Sequence, residues 1–324
     1  MRILVCGGAG YIGAHMVRRL LAEQCEVVVF DDFSTGHRAA VQDVEVVEGS
    51  LLSDADLERA WRGRTFDAAM HFSARALVAE SVAEPFAYYE NNVTGTLNLL
   101  RAARRNHLQR VIFSSSCAIF GVPTQHRINE DHIALPINPY GASKWMCERM
   151  LADAWTAYRL SSVALRYFNA AGASLDGTVG ESHSPESHLI PNVLNAALGN
   201  APAVKIFGRD YPTPDGTCVR DYIHVLDLVD AHWRALTHLV RAPGAHAFNL
   251  GSECGFSVLE IIRAAEAIVG SSIPYLTCAR RPGDPPVLVA DSNRARQILG
   301  WEPRYSSLQC ILESALAWHR APRY

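Results

Sequence analysis

Gly7-Gly8-Ala9-Gly10-Tyr11-Ile12-Gly13 separates a short apolar run at 2–6 from an amphipathic stretch at 12–23. The segment satisfies both G-x-G-x-x-G and G-x-x-G-x-x-G. Glycine at these positions lets the backbone turn sharply and lets a pyrophosphate approach the N-terminus of the following helix. A glycine pattern alone is weak; its place between a strand and a helix gives it force. Asp31 adds to it, 18 residues beyond Gly13 and at the end of a second apolar run, 26–30. A carboxylate there accepts from the adenosine ribose hydroxyls and repels a 2′-phosphate. The expected cofactor is therefore NAD, held by Gly7, Gly10, Tyr11, Ile12, Gly13 and Asp31. His37 and Arg38 are the basic residues nearest a 2′-phosphate and read as a solvated loop.

Outward from that turn the first half alternates strands and helices. Strands are expected at 2–6, 26–30, 44–47, 67–72, 110–114 and 162–168, and helices at 12–23, 55–61, 85–106 and 140–158. This order predicts a doubly wound parallel sheet covered on both faces. Near-continuous apolar runs such as Val27-Val28-Val29-Phe30 suit strands buried on two sides. In the second half, Gly-, Pro- and Ser-rich segments (172–185, 208–216, 281–286) separate short helices at 189–198, 226–239, 258–269 and 308–319. A smaller mixed α/β lobe with substrate loops is expected there. The division is a dinucleotide-binding domain at 1–169 and a substrate lobe at 170–324, with some segments crossing back.

Composition excludes several classes. Of 324 residues 49% are hydrophobic and 19% charged, as in a globular chain, and the net charge of -3 argues against nucleic acid as a partner. No stretch nears the roughly 20 apolar residues of a membrane span, and no charged segment precedes an apolar core as in a signal peptide. The eight cysteines are irregularly spaced with no C-x-x-C, which predicts reduced thiols and a cytoplasmic location. No cysteine–histidine cluster has zinc-ligand spacing, so no metal is expected.

Tyr140 and Lys144 form Y-x-x-x-K, which places both side chains on one helix face. A free phenol has a pKa of about 10, too high for a base near neutrality. An ammonium group and the positive nicotinamide ring would stabilise the phenolate. With 11 tyrosines and two lysines in 324 positions, chance supplies roughly 0.07 such pairs. Ser114-Ser115-Ser116 ends the fifth strand, and strand carboxyl ends face the ligand in a doubly wound sheet. Ser116 can therefore share a substrate hydroxyl with Tyr140. The catalytic set read here is Tyr140, Lys144 and Ser116.

With these residues the chain resembles the extended short-chain dehydrogenase/reductases, and among them the UDP-glucose 4-epimerases. The resemblance spans nearly the whole chain through GGAGYIGAH (7–15), ESVAEPFAYYENNVTGT (80–96), FSSSCAIFG (113–121), PYGASK (139–144), LRYFNAAGA (165–173), FGRDYPTPDGTCVRDYIHV (207–225) and RRPGD (280–284). The run at 207–225 is the most specific of these. The resemblance implies a Rossmann sheet, and reversible oxidation at C4 of a UDP-sugar through tightly bound NAD, with rotation of the 4-keto sugar and return of the hydride. It makes Tyr140 the base and Lys144 its activator and a nicotinamide-ribose ligand. Phe72, Asn92, Ser114 and Phe168 match positions lining the cofactor. Ser116, Tyr140, Asn169, His188, Leu189, Phe207, Arg220, Arg281, Asp284 and Leu288 match positions around the UDP-sugar. Arginine forks suit its two phosphates. The helices near 90–106 and 140–158 resemble those that pair in homodimers.

Three positions depart from the family pattern. Ser50 stands where an aspartate often holds the adenine amine. Ala76 replaces a common lysine, beside Arg75. Leu288 is intermediate in size at the position that gates the sugar. UDP-N-acetylhexosamines, UDP-pentoses and UDP-hexuronates are alternative substrates. A 4,6-dehydratase needs an Asp-Glu pair where Cys117 and Ala118 stand. A plain dehydrogenase would release NADH. An NAD-binding regulator without catalysis would typically lack the tyrosine–lysine pair.

Overall fold

The first sheet grows from β1 (Arg2–Cys6), β2 (Glu26–Asp31), β3 (Glu45–Glu48), β4 (Ala68–His71), β5 (Arg110–Ser116) and β6 (Ser161–Tyr167). The structure, a computed structural model, describes residues 1–123, 125–281 and 284–324. Beyond β6 follow β7 (Asn169–Ala171), β8 (Val204–Phe207), β9 (Val219–His224), β10 (Ala245–Leu250), β11 (Gly255–Ser257), β12 (Tyr275–Cys278) and β13 (Val287–Leu288). The large sheet has seven strands in the order β10-β6-β5-β4-β1-β2-β3, all parallel. The chain builds outward from β1 in one direction and from β4 in the other. The carboxyl ends of β1 and β4 therefore flank a crevice, where such sheets bind ligands.

The expected burial on both sides is realised residue by residue. Ile3, Val5, Val27, Val29 and Met70 point into one core and Leu4, Cys6, Val28, Phe30 and Ala69 into the other, because side chains alternate faces along a strand. The helices are α1 (Tyr11–Ala22), α2 (Asp54–Trp61), α3 (Val78–Ala83), α4 (Pro85–Tyr88), α5 (Gly95–Arg105), α6 (Pro139–Tyr158), α7 (Leu189–Ala197), α8 (Val225–Arg241), α9 (Val258–Val269), α10 (Asn293–Leu299) and α11 (Leu308–Arg320). Helices α1 and α8 cover the first face with Met16, Leu20, Leu228 and Leu236. Helices α2, α5 and α6 cover the second with Leu57, Leu99 and Leu151.

Two features depart from the sequence reading. The single helix expected at 85–106 is α4 and α5 joined by a π-helical turn, Tyr89–Thr94. Such turns have no hydropathy signature and often mark functional positions; this one carries Asn92. β10 lies far along the chain yet pairs with β6 in the large sheet. The smaller lobe is mixed: β9 pairs antiparallel with β11 and parallel with β13 and β7, while β8 pairs with β12.

Candidate active site

Gly7, Gly10 and Gly13 each meet a different demand. Gly7 has φ +75°, and a Cβ on it would lie 2.5 Å from the Ser73 amide nitrogen. At Gly13 a Cβ would lie 2.0 Å from the Gly7 carbonyl oxygen, so glycine there is required for the turn to pack on α1. A Cβ on Gly10 would meet only Gly7 O, at 3.5 Å. Its open side is the cradle through which a pyrophosphate reaches the backbone. Gly10 is the N-cap of α1 and has no side-chain cap, which leaves first-turn amides, including those of Tyr11 and Ile12, to an anion. Asp31, at the end of β2, accepts from the amides of Ala9 (2.8 Å) and Phe33 (2.9 Å). Burial raises its pKa, and those amides oppose the rise. These residues fit the adenosine diphosphate half of NAD. The Tyr11 hydroxyl is turned elsewhere: it donates to Gly172 O at 2.6 Å and ties α1 to the segment after β7.

Tyr140 is fixed by the start of α6. Asn138 caps that helix by accepting from the Gly141 amide at 2.8 Å, and Pro139 occupies its first turn. A Cβ on Gly141 would stand 2.3 Å from Ala118 O. The helix therefore abuts the 3-10 turn Cys117–Phe120 that follows β5, and this contact brings Tyr140 to Ser116. Ser116 Oγ accepts from the Ala118 amide at 3.2 Å. One turn along α6, Lys144 Nζ donates to Ser114 O at 2.8 Å and sits 6.0 Å from the Tyr140 ring centre. All three residues of the catalytic reading thus converge at the end of β5.

The electrostatics of the chain without its cofactor set the starting point for the phenol. Burial pushes the Tyr140 phenol up to about 12, and its hydrogen bond with Ser116 opposes that. Burial also lowers Lys144 to about 8, against the pull of Cys147 and Glu148. In the chain by itself burial dominates, and the phenol stays above its ordinary value.

The other residues matched to the cofactor are held by their own local contacts. Asn92 Nδ2 donates to Ser143 Oγ (2.9 Å) and Arg75 O (3.0 Å), while its Oδ1 accepts from the Arg75 amide (2.9 Å). It thus latches the loop after β4 to α6. Ser114 Oγ is hydrogen-bonded to the Tyr167 hydroxyl. Phe72 packs 4.9 Å from the His232 ring, and Phe168 is buried with Ile119 and Phe120 beside Leu288. Ser50 Oγ accepts from the Leu52 amide at 3.3 Å. Ala76 is exposed, and the Arg75 side chain pairs with Glu80 at 2.9 Å.

Most substrate candidates gather in the second lobe. Arg220 pairs with Asp284, and Leu288 is its register partner across β9 and β13. The Arg281 guanidinium lies 4.0 Å from the Phe207 ring centre, and Pro282 and Gly283 of this stretch lie outside the described residues. Asn169 Nδ2 donates to Asp221 O at 3.0 Å. Leu189 begins α7. Burial raises the Cys117 thiol and the Arg220 charge opposes that rise, which puts Arg220 near the residue that follows Ser116. His188 belongs to a different grouping: with Glu181, His183 and Glu186 it forms a cluster of metal-ligand type. The expectation of no metal rested on cysteine–histidine spacing, and this cluster contains no cysteine.

Sequence reading missed Glu148, Arg166 and Ser115. Arg166 Nε lies 3.0 and 3.1 Å from the two Glu148 oxygens, its NH2 group lies 2.6 Å from Oε2, and Ser115 Oγ donates to Glu148 at 2.5 Å. The signal was present, since Glu148 follows Lys144 by one turn as Lys144 follows Tyr140.

Residues 3–251 match the model of the NAD dependent epimerase/dehydratase family. The UDP-glucose 4-epimerase of Halalkalibacterium halodurans is 47% identical over 320 residues, 99% of this chain and 96% of that one. The crystal structure of UDP-glucose 4-epimerase from Brucella ovis in complex with NAD superposes with a TM-score of 0.95 at 48% identity, covering 97% of both chains. The UDP-Glc/GlcNAc 4-epimerase from Campylobacter jejuni superposes at 0.86 with 38% identity, covering 98% of this chain and 99% of that one.

Proposed function

Because the chain belongs to the NAD-dependent epimerase/dehydratase family, we propose that it is a UDP-glucose 4-epimerase that interconverts UDP-glucose and UDP-galactose, with NAD as its cofactor. The observation that carries this reading is the placing of Tyr140 against Ser116, with Lys144 behind them, beside a glycine turn open at Gly10. When bound, the nicotinamide ring supplies the hydride acceptor and donor for the sugar's C4 and a positive charge beside the phenol.

The chain's own groups do the rest. Tyr140 takes the proton of the C4 hydroxyl and returns it, and Ser116 holds that hydroxyl in line. Lys144, fixed on Ser114 O, orients the nicotinamide ribose and adds to the field that favours phenolate. Arg220 and Arg281 grip the diphosphate, Asp284 the uridine ribose, and Phe207 and Leu189 the base. Asn169 and Leu288 line the sugar end, while Phe72, Asn92, Ser114 and Phe168 line the cofactor. The nucleotide must be held firmly and the sugar loosely, so that the 4-keto sugar can present both faces without escaping. This assigns 1–169 mainly to the dinucleotide and 170–324 mainly to the UDP-sugar.

A dehydratase reading finds no acid at the required place, because burial pushes the Cys117 thiol up to about 12. The second reading, a 4-epimerase of another UDP-sugar, is favoured by one observation: Leu288 is only partly buried, at the edge of the Phe168 cluster. A panel of UDP-sugars tests both. UDP-galactose is expected to turn over fastest. UDP-N-acetylgalactosamine as the faster substrate would overturn the assignment to UDP-glucose.

Assembly follows from the surface. Phe86 is 85% exposed and Val82 65%, and Met146 on α6 is also exposed. We assign this face to a two-fold homodimer. Sedimentation at micromolar concentration is expected to show a dimer that Phe86→Glu dissociates; a stable wild-type monomer would remove the assignment. Among the described residues no helix is long and apolar enough to cross a membrane, and all eight cysteines are free thiols. We place the enzyme in the cytoplasm, with no membrane or nucleic-acid partner.

A further inference from the structure

Between β7 and α7 the chain presents Glu181, His183, Glu186 and His188 within eight residues, and one ligand atom from each lies within 4.8 Å of all the others. We propose that this segment binds one Zn2+ ion, through a carboxylate oxygen from each glutamate and Nδ1 from each histidine. The site is structural and stands apart from the sugar chemistry.

Three observations carry this. The first is the edge lengths of the cluster. His183 Nδ1 is 3.3 Å from Glu181 Oε1 and 3.6 Å from Glu186 Oε2, and His188 Nδ1 is 3.5 Å from Glu186 Oε1. These are long for charge-assisted hydrogen bonds, which run at about 2.7–2.9 Å. The His183–Glu181 separation suits an edge of a tetrahedron around zinc, where ligand bonds of about 2.0–2.1 Å give edges of about 3.3–3.4 Å; the two histidines approach different oxygens of Glu186, one of which turns to serve as ligand. The His188–Glu181 contact is a hydrogen bond that opens by loss of its proton as metal enters.

The second observation is an orphaned atom. His183 Nδ1 is buried, lies within ion-pair distance of two carboxylates and is aligned to hydrogen-bond with neither. A buried polar atom without a partner calls for an explanation, and a metal ion supplies one. The third is the setting. Glu181 is 3% exposed, and its backbone oxygen accepts from the Trp318 indole N–H at 2.8 Å. His37 Nε2 reaches Ser182 O at 3.1 Å. The segment is thus held between the first lobe and α11 before any ion arrives, which lowers the ordering cost of binding. Two imidazoles with two carboxylates suit Zn2+ rather than Mg2+ or Ca2+, which take oxygen alone. Four protein ligands fill a tetrahedral site and leave no open position, the mark of structural zinc. The ion would lock the loop from which α7 and Leu189 emerge.

The test uses the full chain, stripped with a chelator and titrated with Co2+ as a spectroscopic stand-in, then with Zn2+. The expected result is a tetrahedral cobalt absorption band that saturates at one equivalent per chain and is abolished by one equivalent of Zn2+. In His183→Gln and in Glu186→Gln, binding is expected to weaken at least about tenfold. Zn2+ is expected to raise the melting temperature of the wild type and not that of either variant, each compared with its own metal-free form. A wild-type chain with native circular dichroism and no tetrahedral band would overturn the proposal. So would an unchanged band and affinity in both variants.

Discussion

Tyr140→Phe is expected to lower kcat for UDP-galactose by about 10²–10⁴-fold, the usual weight of a general acid–base group, with KM changed by less than about tenfold. The substitution removes one oxygen and keeps the ring, which sits buried with its centre 6.4 Å from that of Tyr88. Packing is therefore preserved, and the nucleotide grip proposed for Arg220 and Asp284, which pair with each other, lies on other elements. On the proposed mechanism, what disappears is the group that moves the C4 proton. Ser116 cannot replace it, because an aliphatic hydroxyl is a far weaker acid than a phenol. Turnover within tenfold of the wild type would remove Tyr140 from the mechanism. The raised phenol of the isolated chain, about 12, adds a second expectation: the side chain becomes a competent base only beside further positive charge.

Glu148→Leu is expected to destabilise the fold by about 3–5 kcal/mol, because it strands the Arg166 guanidinium in the interior without its carboxylate. Arg166 and Glu148 are 7% and 8% exposed, so water cannot take over for the lost partner. The network joins three pieces of the site: Glu148 on α6 one turn beyond Lys144, Arg166 on β6, and Ser115 beside Ser116 on β5. Urea unfolding measures the effect, as a lower midpoint with an unchanged slope. Replacing both partners, Glu148→Leu with Arg166→Met, should recover most of the loss, since a well-packed apolar pair can match a buried ion pair. A single variant within about 1 kcal/mol of the wild type, the weight of a surface pair, would show that the network does not brace the site.

The parts of the molecule legible in sequence are those with local causes. The glycine turn, Asp31 and the apolar runs of β1 to β6 follow from φ requirements and side-chain alternation within short windows. Tyr140, Lys144 and Ser116 were readable because helix spacing and strand-end position are also local. The rest depends on contacts between distant segments. β10 joins β6 through register pairs such as Phe248 with Leu165, and nothing near residue 248 announces that partner. The π-helical turn at Asn92 answers to packing against α6, where Asn92 meets Ser143. The Glu181–His188 cluster has its spacing in plain view, but it contains no cysteine, and its four ligand groups come together only in the folded loop. The phenol's raised pKa was not foreseen, because charge proximity can be guessed from spacing whereas desolvation requires the folded surroundings.

The central claim is that inversion at C4 proceeds by oxidation and reduction at that carbon alone, with the hydride kept inside the enzyme. Conversion of UDP-galactose carrying deuterium at C4, run in ordinary water, tests it directly. The account predicts UDP-glucose that retains the deuterium at C4 with no net accumulation of NADH; product whose C4 deuterium has been replaced by solvent hydrogen would contradict it.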